Sequence, residues 1–200
     1  MEDVSIPNQN LSKRGLPKII FIILALILVG EAIFAVRTLL LPIPNTSPLP
    51  KAQVVSTIAK ISLISDKSTY NVGEAVPVQI QVDTGGRKIV GNDAVIHFDP
   101  TILMATGSAA ITKGSALKDY PFLEVDSKLG MVTVAGISSI EESYLGKFIL
   151  ATINFKAKAV GTTAVTITYT PGDTTDTNLV EAGTNKDILE KVENLNLTIK

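Results

Sequence analysis

From Ile58 onward apolar residues recur at every second position, and this period limits the chain to one class of fold. Val76, Val78, Ile80 and Val82 alternate with Pro77, Gln79 and Gln81; Ala94, Ile96 and Phe98 alternate with Val95 and His97. Val132 and Val134 alternate with Met131, Thr133 and Ala135, and Val165, Ile167 and Tyr169 continue the series. Ile149, Ala151, Ile153, Phe155 and Ala157 read as the inward set of a longer run, with Leu150, Thr152, Asn154, Lys156 and Lys158 facing outward. A period of two sends successive side chains to opposite faces of a strand, so each run has one face to bury. Turn signals separate the runs at Asn71–Gly73, Asp83–Gly86, Ser127–Gly130, Val160–Gly161 and Pro171–Asp173. A sustained helical period is absent beyond residue 58, although Ile188–Val192 allows one short helical turn before a terminal strand carrying Leu195, Leu197 and Ile199. Residues 58–200 are therefore predicted to be all-β, an antiparallel two-sheet sandwich.

The first quarter of the chain follows different rules. Ile19 to Gly30 is an unbroken apolar run that resumes after Glu31 from Ala32 to Leu41, and helps raise the hydrophobic content to 46%. About 20 such residues span a bilayer as a helix, so residues 19–41 are expected to be one transmembrane helix. Lys13, Arg14 and Lys18 precede it, against Arg37 and Lys51 behind it, which keeps residues 1–18 as a cytoplasmic tail and places the β domain outside. Glu31 is costly in such a span, while Arg37 can snorkel from the far end. A cleaved signal peptide ending at the small-x-small site Gly30-Glu31-Ala32 is the competing reading, but a membrane anchor explains why apolar sequence continues beyond that site. Residues 42–57 form a Pro-rich linker with four prolines between Pro42 and Pro50, an extended spacer reaching about 50 Å at roughly 3.1 Å per residue. The expected location is the cell membrane, single-pass, with lipid contacted through residues 19–41.

Composition removes most chemistry. Lys and Arg number 18 against 19 Asp and Glu, a formal net charge of -1, which offers no basic surface to nucleic acid. There is no Cys and a single His, so thiolate zinc sites, iron–sulfur clusters and paired imidazoles are excluded. No nucleophile–base pair or phosphate loop can be assembled, and the chain reads as a non-enzyme without a cofactor. Glu141 and Glu142 are adjacent in a loop with no acid fixed opposite them, so they read as surface charge rather than a glycosidase pair. His97, alone on the outer side of a strand, reads as a solvated polar residue. Asp173, Asp176 and Asn178 in GDTTDTN have the oxygen donors of a calcium loop but lack the rest of an EF-hand pattern, and read as a solvated turn.

Three segments in order, Tyr70–Ile80 (YNVGEAVPVQI), Ala94–Leu103 (AVIHFDPTIL) and Gly146–Lys158 (GKFILATINFKAK), together resemble a bacterial cohesin domain over roughly residues 60–200. Asp99-Pro100 ends a strand in a turn, since Pro fixes φ and Asp can accept from amides just downstream. The resemblance implies a jelly-roll sandwich of about nine strands, shared with some carbohydrate-binding modules, and a binding function directed at dockerin modules of extracytoplasmic proteins, often enzymes of polysaccharide degradation.

Aligned on Phe98-Asp99-Pro100, the resemblance places Asp93 at the family's acidic, partner-contacting position. Strand parity turns Asp93, Val95 and His97 to the outer face, beside Thr133, Ala135 and Ile137 if the family's strand order holds. Ile137 stands where an acidic contact is expected, and with Val95 and Ala135 it makes an apolar strip suited to a protein partner. Direct carbohydrate binding is the alternative: with Trp absent, a sugar platform would need Tyr120 and Tyr144 coplanar on one exposed face. A structural envelope protein is a further alternative.

Overall fold

The computed structural model describes Glu31 and residues 58–200. The expected tail 1–18, linker 42–57 and, apart from a helical and exposed Glu31, the expected span 19–41 lie outside the described residues. Among the described residues no helix is long and apolar enough to cross a membrane. The chain divides after Ala52, and all the described strands belong to the second unit.

Thirteen strands occur among the described residues: β1 (Lys60–Ile64), β2 (Thr69–Tyr70), β3 (Ala75–Asp83), β4 (Ile89–His97), β5 (Leu103–Met104), β6 (Ile111–Lys113), β7 (Asp119–Asp126), β8 (Met131–Ile137), β9 (Lys147–Ala157), β10 (Gly161–Ile167), β11 (Asn178–Glu181), β12 (Lys191–Glu193) and β13 (Leu195–Ile199). They form two sheets. One runs β12-β1-β3-β9-β5, with β6 also on β9; the other runs β2-β13-β10-β4-β8-β7, with β11 also on β4. The count exceeds the expected nine because β2, β5, β6 and β12 have only two or three residues, too few to display an alternation. Pairing is antiparallel as expected except at two edge contacts, β1 with β12 and β13 with β2, which are parallel.

Between the sheets lies the core that the period-two pattern specifies. Val76, Val78, Ile80 and Val82 of β3, Ala94 and Ile96 of β4, Val132 and Val134 of β8, and Val165 of β10 are all fully buried. Phe98 and Phe155 meet in it with ring centroids 4.9 Å apart, within the range of favourable tilted aromatic pairs.

Three local departures have physical causes. In β9, Gln81 pairs with Ile149 and Ile80 with Ala151, leaving Leu150 as a bulge. The extra residue reverses the parity, so Leu150 and Ala151 are both buried while Ile149 is only half-buried. Ile188–Val192 makes no helical turn. Asp187 Oδ1 accepts from the backbone N–H groups of Leu179 and Leu189, and the Glu190 N–H donates to the Ala59 carbonyl, so the segment stays extended and enters β12. Tyr169 falls beyond the end of β10, half-buried, with its hydroxyl donating to the Leu189 carbonyl.

The Asp99-Pro100 turn has the expected form. Asp99 Oδ1 accepts from Thr101 N at 2.8 Å and Thr101 Oγ1 at 2.6 Å, and these bonds hold its carboxyl below the usual range. Gly130 backs this turn at φ 66°: its carbonyl accepts from Phe98 N, and an added Cβ would lie 2.1 Å from the Phe98 oxygen.

Candidate functional site

The outer face of the β4–β8–β7 ribbon is built by register. Asp93 pairs with Ala135, Val95 with Thr133, His97 with Met131 and Gly91 with Ile137. On the other side of β8, Ala135 pairs with Phe122, Thr133 with Glu124, Met131 with Asp126 and Ile137 with Asp119. Directly paired side chains on one face stand about 5 Å apart, so Asp93, Ala135 and Phe122 form one row, Val95, Thr133 and Glu124 the next, and His97, Met131 and Asp126 the third.

All six residues singled out from the sequence are on this face. Asp93, Val95, Thr133 and Ala135 are half-buried, while His97 and Ile137 are exposed; the intervening Ala94, Ile96, Val132 and Val134 are buried. The opposite register, with Val95 and Ile137 in the core, does not occur.

Phe122 was not legible as a member. It is 47% exposed, matched by 46% for Ile137, and stands across Ala135 from Asp93. A bulge between Asp119 and Phe122 breaks the alternation of β7, and Pro121 argues against a strand. The remaining signal is the half-buried pair Leu123 and Val125, alternating with Phe122, Glu124 and Asp126.

The face combines an apolar strip with acidic flanks. Phe122, Ala135, Ile137, Val95 and Met131 supply the strip; Asp93, Asp119, Glu124 and Asp126 surround it. Asp126 Oδ1 accepts from Leu129 N and Lys128 N, each at 2.9 Å, which holds its carboxyl below the usual range. Asp93 is oriented by the Asn178 amide, whose Nδ2 donates to Asp93 Oδ2 at 3.1 Å. This surface is suited to an apolar partner element with basic residues at its rim.

The two tyrosines required for a sugar platform do not form one. Tyr120 is buried, at 8% exposure, and burial raises its hydroxyl pKa above the usual value. Tyr144 is half-buried and packs edge-on against Phe148 with centroids 4.7 Å apart. The reading of GDTTDTN as a solvated turn also needs correction. Asp173 is capped by Thr175 N and Oγ1, but Asp176 and Asn178 are buried because the loop folds back along β4, where Thr177 Oγ1 accepts from Val95 N.

Residues 61–190 match the cohesin domain family. The chain belongs to that family. No curated protein matches this cohesin in sequence. Solved structures similar to it include a type II cohesin domain from the cellulosome of Acetivibrio cellulolyticus, with 18% identity and a TM-score of 0.58 over 70% of this chain and 95% of that one. The third cohesin of ScaC from the same organism, solved in complex with the ScaB dockerin, has 17% identity and a TM-score of 0.58 over 71% and 99%. The sixth cohesin of its scaffoldin B, solved with a mutant Cel5 dockerin, has 19% identity and a TM-score of 0.57 over 72% and 99%. At these identities the likeness is one of fold. The two-sheet sandwich of this cohesin agrees with it.

Proposed function

We propose that this cohesin domain is a non-catalytic binding module that holds a dockerin-bearing protein through the β4–β8–β7 face, and that residues 19–41 anchor it in a membrane with the domain outside. The observation that carries the reading is the exposed pair Phe122, across from Ala135 on β7, and Ile137, two residues along β8 from Ala135, on a sheet face that also carries four carboxylates. Related cohesins bound to dockerins make a dockerin the partner of choice. The acidic rim selects one presenting Lys or Arg beside an aliphatic contact surface.

The full-length chain, immobilised and offered a panel of dockerin modules, tests the binding. Phe122→Ala, Ile137→Lys and Asp93→Ala are each expected to weaken capture of the matching dockerin by about tenfold or more, as truncation of interface anchors does. For Phe122→Ala and Ile137→Lys, at exposed positions, the melting temperature should change little, since surface substitutions shift stability by about 0.5 kcal/mol; Asp93→Ala should lower it, because the buried Asn178 amide loses an acceptor. Capture unaffected by all three substitutions would place the contact elsewhere. Failure of every dockerin to bind, with retention of other extracytoplasmic proteins, would redirect the reading to another protein partner. Protease added to intact cells tests the topology: residues 58–200 should be shaved from the surface and an N-terminal fragment retained in the membrane fraction.

A further inference from the structure

Where β10 leaves the sheet after Ile167, the chain makes a loop and returns at Asn178 to pair with Asp93 of β4. The side chain of Asn178 is 4% exposed, and its Nδ2 is surrounded by three oxygens: Asp93 Oδ2 at 3.1 Å, the Asp176 carbonyl at 3.4 Å and the Thr174 carbonyl at 3.5 Å. An amide nitrogen has two hydrogens, so it cannot serve all three acceptors well. Its own Oδ1 is buried and has no hydrogen-bond partner among the described residues, and the same is true of Oδ1 on Asp176, which is 8% exposed. A buried carboxylate oxygen with nothing to neutralise it is costly.

Exchange of the Asn178 amide oxygen and nitrogen by rotation about χ2 would bring a fourth oxygen to the same point. That oxygen would then stand 3.1–3.5 Å from each of the other three, which would repel it unless a cation lay between them. Ligands of one calcium ion lie about 2.4 Å from it, and two at right angles are then about 3.4 Å apart. The spacing around Asn178 is thus that of neighbouring calcium ligands. We propose that Asp93 Oδ2, Asn178 Oδ1 and the carbonyls of Thr174 and Asp176 form a binding site for a calcium-sized divalent cation, with the Asp176 carboxylate adding charge in the same turn. Among the described residues no three acidic or imidazole side chains converge on a metal position. This site differs in kind, taking half its ligands from the backbone. Magnesium, which demands near-ideal octahedral geometry and sheds water reluctantly, fits such a loop poorly. The ion would pin the 168–178 loop to β4, and the site does not depend on which partner the domain binds.

Terbium titrated into the full-length chain tests this through emission sensitised by Tyr169, which lies in the same loop. Saturable one-to-one emission is expected, displaced by calcium chloride and not by the same concentration of magnesium chloride. Asp93→Asn should weaken calcium binding by about tenfold or more through loss of ligand charge, and Asp176→Asn should weaken it through loss of the neighbouring negative charge. Asn178→Asp, which supplies a carboxylate without any amide rotation, should tighten it, a gain that misfolding cannot mimic. Asp173→Ala should leave the affinity unchanged. The proposal is overturned if calorimetry shows no calcium binding up to about 10 mM, above the weakest extracellular calcium modules. It is also overturned if Asp93→Asn and Asn178→Asp both bind calcium as the unsubstituted chain does.

Discussion

A Cβ on Gly130 would collide with the carbonyl oxygen of Phe98 and lie 2.9 Å from the Pro100 ring, in a backbone conformation already at positive φ. Gly130→Ala is therefore expected to cost at least about 2 kcal/mol, read as a lowered urea midpoint with an unchanged slope. Glu193 is constrained by charge instead. Its carboxylate accepts from Lys191 Nζ and Lys60 Nζ, each at 2.9 Å, and from Ser62 Oγ at 2.7 Å. These bonds, Lys191 foremost, lower its pKa from 4.5 to about 2. A group depressed on folding stabilises the native state above its unfolded pKa and loses that contribution as pH falls through the folded one. The contribution of Glu193 should thus be complete above pH 4.5 and disappear toward pH 2. Melting curves across that window should show a shallower pH dependence for Glu193→Gln. At this scale the sequence announces Asp99, whose acceptor role follows from the proline beside it. It does not announce Glu193, whose lysine and serine partners at positions 60 and 62 come together only when β1 and β12 pair.

Parity was legible wherever a strand ran without interruption. The faces of β3, β4 and β8 follow from alternation alone, and with them the outward set Asp93, Val95, His97, Thr133, Ala135 and Ile137. It failed at bulges, since one unpaired residue inverts every assignment on one side of it. For β9 alternation puts Ile149 inward and Leu150 outward, and the bulge against β3 reverses the two, which no residue type announces because both are apolar. Leu150→Ala should therefore cost about 2–5 kcal/mol as a cavity in the core. Ile149→Ala should cost about 1 kcal/mol or less, and a chemical denaturation series on the pair checks the order. In β7 the bulge concealed Phe122, and with it half of the apolar pair on which the binding reading rests.

Across the whole molecule the two ends of the β domain are fastened late and far apart in sequence. β13 lies between β10 and β2, pairing Leu197 with Thr163 and Thr198 with Thr69, and the terminal Lys200 still donates to the Tyr70 carbonyl. Removal of residues 195–200 should leave β2 without its partner, strip the hydrogen-bonded edge of β10, and abolish cooperative unfolding in a calorimetric scan. A topology dominated by such distant pairings also folds slowly, in milliseconds to seconds as all-β sandwiches do. The two-layer architecture could be read from period and turns; the order of strands within each layer could not, because nothing local to residue 60 records that residue 191 will lie beside it.

The double pairing of β1 has a mechanical meaning. Lys60–Ile64 is bonded to β3 on one side and to β12 on the other, and it is the first strand reached from the linker side. Tension applied at residue 58 would load two ladders together, with the Lys60–Glu193 contact spanning one of them. A strand gripped on both flanks shares the load between its neighbours, and the domain gains a rip-resistant attachment at the point where a tether would pull.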